Sequence, residues 1–109
     1  MKEFIRVMKA LSDPSRVRVL KLLQKGELCV CNIQEFLQLA QSTVSRHMKV
    51  LEDAGLVEHR RQGIWIMYRL ADNRESVYGT AMLAQLERWL EDDTELKNMQ
   101  LKRELIISQ

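Results

Sequence analysis

At 109 residues the chain has room for one small domain with its own core. Hydrophobic residues at 46% and charged residues at 29% exclude a disordered chain, and no apolar run approaches the ~20 residues of a membrane-spanning helix. The net charge of +2 hides an asymmetry: residues 1–70 carry 12 Lys and Arg against 7 Asp and Glu, residues 71–109 carry 5 against 8, so only the first part is suited to face a polyanion.

The opening Met1-Lys2-Glu3-Phe4-Ile5-Arg6 mixes both charges and holds no long apolar segment, so no secretory signal is expected and the cytoplasm is the default location. Phe4, Ile5, Met8 and Leu11 recur at helical spacing and predict a first helix over residues 2–11. Ser12-Asp13-Pro14 restarts the chain: Asp13 can cap, and Pro14 fits a first helical turn, where its missing N–H costs nothing. Val17, Leu20 and Leu23 mark the buried face of this second helix, and Gly26 suits the left-handed position beyond its end.

Cys29 and Cys31, the only cysteines, stand one residue apart in Glu27-Leu28-Cys29-Val30-Cys31-Asn32. A free cysteine is commonly a small buried hydrophobe, but two this close can present two sulfurs to one soft ion. A disulfide between them would close a small, strained ring, so free thiols or thiolate ligands are expected in a reducing compartment. Asn32 with Glu35 has the form of a capping box and predicts a helix from Asn32 to about Leu39. Cys31 would then immediately precede a helix N-terminus, whose partial positive charge favours thiolate. Two sulfurs converging on one ion should unwind the start of that helix.

Ala40-Gln41-Ser42 reads as a tight turn into a further helix ending at Asp53-Ala54-Gly55. Val44, Met48 and Leu51 share one of its faces, and Ser42, Ser45, Arg46 and Lys49 gather on the opposite one. That is a helix-turn-helix pattern, and Ser42, Thr43, Ser45, Arg46, His47 and Lys49 are its expected DNA-contacting set. Arg46 would take a guanine or a phosphate, the serines and Lys49 phosphates. His47 has no second histidine in helical register, so a phosphate contact or a structural role is expected of it rather than metal ligation. After Gly55 the period changes to two. Strands over Leu56–Arg61 and Ile64–Leu70 flank Gln62-Gly63 and form a basic hairpin placed as a wing, with His59, Arg60 and Arg61 available to phosphates or the minor groove.

Met82, Leu83, Leu86, Trp89 and Leu90 predict a helix over residues 75–91 whose apolar stripe is wider than a small domain needs for itself. With residues 2–11 it is the expected dimer surface. After Asp92-Asp93-Thr94, Leu96, Met99, Arg103 and Ile106 suggest a last helical piece. The expected architecture is mainly α with a small β-hairpin. It comprises a winged helix-turn-helix domain over residues 1–91, homodimeric through its N- and C-terminal helices, and a helical tail over 92–109. No Ser-His-Asp set, carboxylate pair or Gly-rich phosphate loop stands out, so no enzyme is expected. A small thiol-redox or metal-transfer protein would need a βαβ pattern and a C-x-x-C, and the sequence has neither.

The string Ser42-Thr43-Val44-Ser45-Arg46-His47-Met48-Lys49-Val50-Leu51-Glu52-Asp53-Ala54-Gly55-Leu56-Val57 follows Glu27-Leu28-Cys29-Val30-Cys31 and precedes Arg60-Arg61-Gln62-Gly63 and Tyr68-Arg69-Leu70. Together these resemble the ArsR–SmtB family of bacterial winged-helix repressors, over about residues 4–91. The Cys-Val-Cys string is similar to that of the arsenic-sensing branch, with cadmium and lead sensors as neighbours. The resemblance implies a homodimer on double-stranded operator DNA upstream of resistance genes, released when As(III) or Sb(III) binds Cys29 and Cys31. The best-known arsenic sensors carry a third cysteine where this chain has Gln34, so water, hydroxide or a small-molecule thiol is the implied third ligand. Cadmium and lead sensors add cysteines from an N-terminal extension, and no cysteine precedes Cys29 here. Zinc-type members use histidine and carboxylates of the last helix, and residues 75–91 contain no histidine. Sensing of cadmium, lead or oxidation through the same two cysteines stays open within the same fold.

Overall fold

The computed structural model describes residues 1–72 and 76–107. In chain order these form α1 (Lys2–Ala10), α2 (Pro14–Leu23), β1 (Leu28–Cys29), α3 (Val30–Leu37), α4 (Gln41–Asp53), β2 (Val57–Gln62), β3 (Trp65–Leu70), α5 (Val77–Leu86) and α6 (Thr94–Ile107). The strands make one antiparallel sheet in the order β1-β3-β2. The winged helix-turn-helix expected from the sequence is the fold adopted, with the short strand β1 added at the edge of the hairpin.

Each early boundary has a local cause. Asp13 Oδ1 accepts from the amides of Ser15 and Arg16 at 2.8 and 3.2 Å, and Pro14 opens α2 as its first residue. Gly26 adopts φ +130°, as its position after α2 requires. Leu20, Leu22, Ile33, Val44, Met48 and Leu51 lose all solvent contact and tie α2, α3 and α4 into one core. From α1 that core takes Val7 and Ala10 in full, while Phe4 and Ile5 keep about 40% of their surface. Phe4 instead meets Tyr78 of α5 edge-on, ring centroids 5.3 Å apart.

The hairpin is displaced by one residue from its expected place. Gln62 pairs with Trp65, so Gly63-Ile64 is the turn, and Ile64 leaves the strand to stand 83% exposed. Gly63 takes φ +61° at the first turn position, which a β-branched residue could not do without strain.

The expected helix over 75–91 is shorter. Its Glu75 start lies outside the described residues; α5 is capped by Ser76, whose Oγ accepts from the Gly79 amide at 3.0 Å. It ends at Leu86 because Lys21, 3% exposed and reaching across from α2, donates to the carbonyls of Leu86 (2.7 Å) and Trp89 (2.9 Å) and to Glu91 (2.9 Å). A helix that continued would need those carbonyls for its own ladder. Leu90 then takes φ +64°, and Trp89 and Leu90, expected on an apolar stripe, are about half exposed in a turn. Asp93 accepts from the Leu96 amide and opens α6, which folds back on α2 and α3 through Leu96, Met99, Arg103 and Ile106, the positions whose spacing suggested a helix.

Candidate thiol site and nucleic-acid interface

The two cysteines straddle the start of α3. Cys29 is the last residue of β1 and the N-cap of α3, and its sulfur accepts from the Asn32 amide at 3.3 Å. Cys31 is the second residue of the helix and is exposed, whereas Cys29 is 8% exposed. Two sequence expectations are corrected here. The helix begins at Val30 rather than Asn32, so the Asn32–Glu35 capping box gives way to a cap by Cys29. The sulfurs are joined in a disulfide rather than free. An extended cap followed by the first two helical residues brings the two Cα atoms to 5.3 Å, inside the range a disulfide spans. The disulfide forms with α3 still starting at Val30, Cys29 lying outside the helix as its cap. Among the described residues no third His, Cys, Asp or Glu joins the pair.

From Leu37 the chain turns through Gln38, at φ +56°, into α4. Val44, Met48 and Leu51 face the core, leaving Ser42, Ser45, Arg46 and Lys49 exposed and Thr43 half-buried at the rim. Lys49 pairs with Asp53 one turn on, at 3.1 Å. His47 does not join this face. Three residues after Val44 and four before Leu51, it falls on the inner arc, 9% exposed, with Nδ1 3.2 Å from Arg16 Nη1. Arg16 also donates to the carbonyls of Ala10 and Lys9, so His47 joins α4 to the α1–α2 turn. Arg46→Ala is expected to weaken DNA binding by about 1–3 kcal/mol, roughly 5- to 150-fold, with thermal stability unchanged. Fluorescence anisotropy on labelled duplex checks this, and a loss below about twofold would remove Arg46 from the interface.

On the wing, Arg61 is exposed at the tip end of β2, while His59 and Arg60 are held. His59 Nδ1 contacts Glu52 of α4, and its ring lies 5.8 Å from that of Tyr68. Arg60 is clamped by Glu27 through both carboxylate oxygens, the Nε contact at 3.1 Å, and its Nη2 also reaches Gln62 at 2.9 Å. Hydrogen bonding to Arg60, with the added charges of Arg60 and Arg69, holds the Glu27 carboxyl below the usual carboxylate range. Sequence reading missed Glu27, Glu52, Arg16 and Lys21. Each acts on a residue 7 to 70 positions away, and no local pattern encodes such a pairing.

A short helix, a tight turn, a second helix with a polar and basic outer face, and a basic hairpin beside it define a winged helix-turn-helix DNA-binding regulator. The family described as bacterial regulatory protein, arsR family, matches residues 13–59. An arsenic resistance transcriptional regulator of Pseudomonas putida is 39% identical over 98 residues, covering 85% of each chain. The chain belongs to the ArsR family of bacterial regulatory proteins. It is also 49% identical over 69 residues to the arsenical resistance operon repressor of Staphylococcus xylosus, which spans 63% of this chain and 66% of that one. Among solved structures, the homodimeric winged helix-turn-helix domain of a possible ArsR-family regulator from Mycobacterium bovis superposes with a TM-score of 0.66 at 30% identity, covering 85% of this chain and 86% of that one.

Proposed function

We propose that the protein is a transcriptional repressor that binds operator DNA as a homodimer and is released when As(III) or Sb(III) binds the reduced Cys29 and Cys31. The observation that carries the reading is the seat of the thiol pair: one sulfur caps the helix that leads into α4, and the same residue belongs to the wing's sheet. The relatives named for arsenical resistance support the choice of ion. Phe4, Ile5, Val77 and Tyr78, exposed on adjoining parts of α1 and α5, support a dimer through those helices.

The chemistry needs the disulfide opened first by a two-electron thiol reductant. Each cysteine thiol then gives its proton to a hydroxyl of arsenous acid, two waters leave, and two As–S bonds form. The remaining hydroxide, or a small-molecule thiol that replaces it, is the third ligand. Ligation draws on the Cys29 sulfur that caps the Asn32 amide, so binding the ion and capping α3 compete. Losing such a cap costs about 0.5–2 kcal/mol, within the ~1–3 kcal/mol of ordinary allosteric coupling.

The test is anisotropy of labelled duplex from upstream of the chain's own gene, at stated salt, with reduced protein. Arsenite and antimonite are expected to weaken binding roughly 5- to 150-fold, while zinc does nothing. Indifference to both, with release by cadmium, lead or the thiol oxidant diamide, would overturn the metalloid reading. The observed disulfide favours oxidation sensing as the second reading.

A further inference from the structure

The sheet joins the thiol pair to the wing more directly than a helix-turn-helix alone would. Cys29 pairs with Met67, and Met67 pairs with Arg60, so the three form one row across β1, β3 and β2. Residues in a row share a face of the sheet, and Glu27 immediately precedes β1, two residues before Cys29. From there it grips Arg60 with both carboxylate oxygens. In the next row Leu28, Tyr68 and His59 align, and His59 is tied to Glu52 of the recognition helix. Arg60, a wing cation expected at DNA, is thus held by the segment that leads into the sensor cysteines.

We propose that Glu27 is a positioning residue that contends with a DNA phosphate for Arg60, so that the segment leading into Cys29 and Cys31 controls how much of the wing's charge the DNA receives. The proposal rests on the DNA-binding reading above and adds a route to the wing beside the cap of α3. Two physical facts give it weight. A carboxylate and a phosphate make the same bidentate demand on a guanidinium, so one Arg60 cannot fully serve both. The pair is also partly exposed, with side-chain exposures of 46% for Arg60 and 28% for Glu27, so a phosphate can reach the cation that Glu27 holds.

The experiment is a double-mutant cycle of wild type, Glu27→Gln, Arg60→Gln and the double variant. Each reduced full-length protein is titrated with labelled duplex at several salt concentrations. Glu27→Gln is expected to tighten binding about threefold to tenfold and to steepen the log-affinity against log-salt slope by about one, the signature of one added phosphate contact. In the Arg60→Gln background the same substitution should change neither. A Glu27→Gln effect of equal size in both backgrounds, or no change of slope, overturns the competition, since removing a negative charge near DNA would then explain everything. A second arm adds arsenite or diamide: the loss of affinity is expected to be smaller in Glu27→Gln than in wild type. An unchanged loss would overturn control by that segment. Wild type that binds no DNA would sink the parent reading, a result distinct from DNA binding without the coupling.

Discussion

Replacing Cys29 and Cys31 together by serine is expected to leave DNA binding within about twofold of wild type and to abolish release by arsenite. The first half follows from what Cys29 does in the fold. Its sulfur is the N-cap of α3, and serine is among the best N-cap residues, so Asn32 keeps an acceptor. Cys31 is exposed in the first turn, where a hydroxyl disturbs nothing. The second half follows from chemistry, because a serine hydroxyl is a hard donor that offers a thiophilic ion no sulfur and cannot form a disulfide. Anisotropy with and without arsenite, at one salt concentration, reads both. A variant that no longer binds DNA would mean the disulfide or the thiols are structural. A variant still released by arsenite would place the sensor elsewhere.

Lys21→Met is expected to destabilise the fold by about 2–4 kcal/mol. Methionine keeps the apolar stem that packs in the core but removes the ammonium serving the carbonyls of Leu86 and Trp89. An unsatisfied buried carbonyl costs about 1–3 kcal/mol; the Leu86 carbonyl at the end of α5 is buried and that of Trp89, in the turn beyond, is part-buried. The contact with Glu91 adds little, since that side chain is 61% exposed. Urea unfolding at fixed protein concentration measures the effect, because the proposed dimer would make stability depend on concentration. A loss below about 1 kcal/mol would show that water replaces the ammonium and that Lys21 does not terminate the helix.

Much of the fold was legible because its signals are local. Asp13-Pro14, Gly26, the inward face of Val44, Met48 and Leu51, and the period-two segment after Gly55 each declare themselves within a few residues. The exposed polar and basic face of α4 was legible for the same reason: helical spacing puts Ser42, Ser45, Arg46 and Lys49 outside. Which of its two expected roles His47 takes was not legible, because the inner arc of α4 is broad enough to include it and its partner Arg16 lies 31 residues away. The α3 boundary was misread because cysteine seldom caps, so Asn32 and Glu35 looked like the stronger signal.

By itself, then, the sequence determined the order of helices, the polar and basic face of α4, and the presence of two sulfurs ahead of it. Those properties depend on periodicity and composition over a turn or two. Only the tertiary structure decided that Cys29 belongs to the wing's sheet, that Glu27 holds Arg60, that Lys21 ends α5 and that α6 returns to cover α2. Each of these is a pairing across dozens of residues, set by which surfaces the core brings together. That is why the thiol pair read as a trigger for one helix, whereas in the folded chain Cys29 both caps α3 and pairs with β3 of the hairpin.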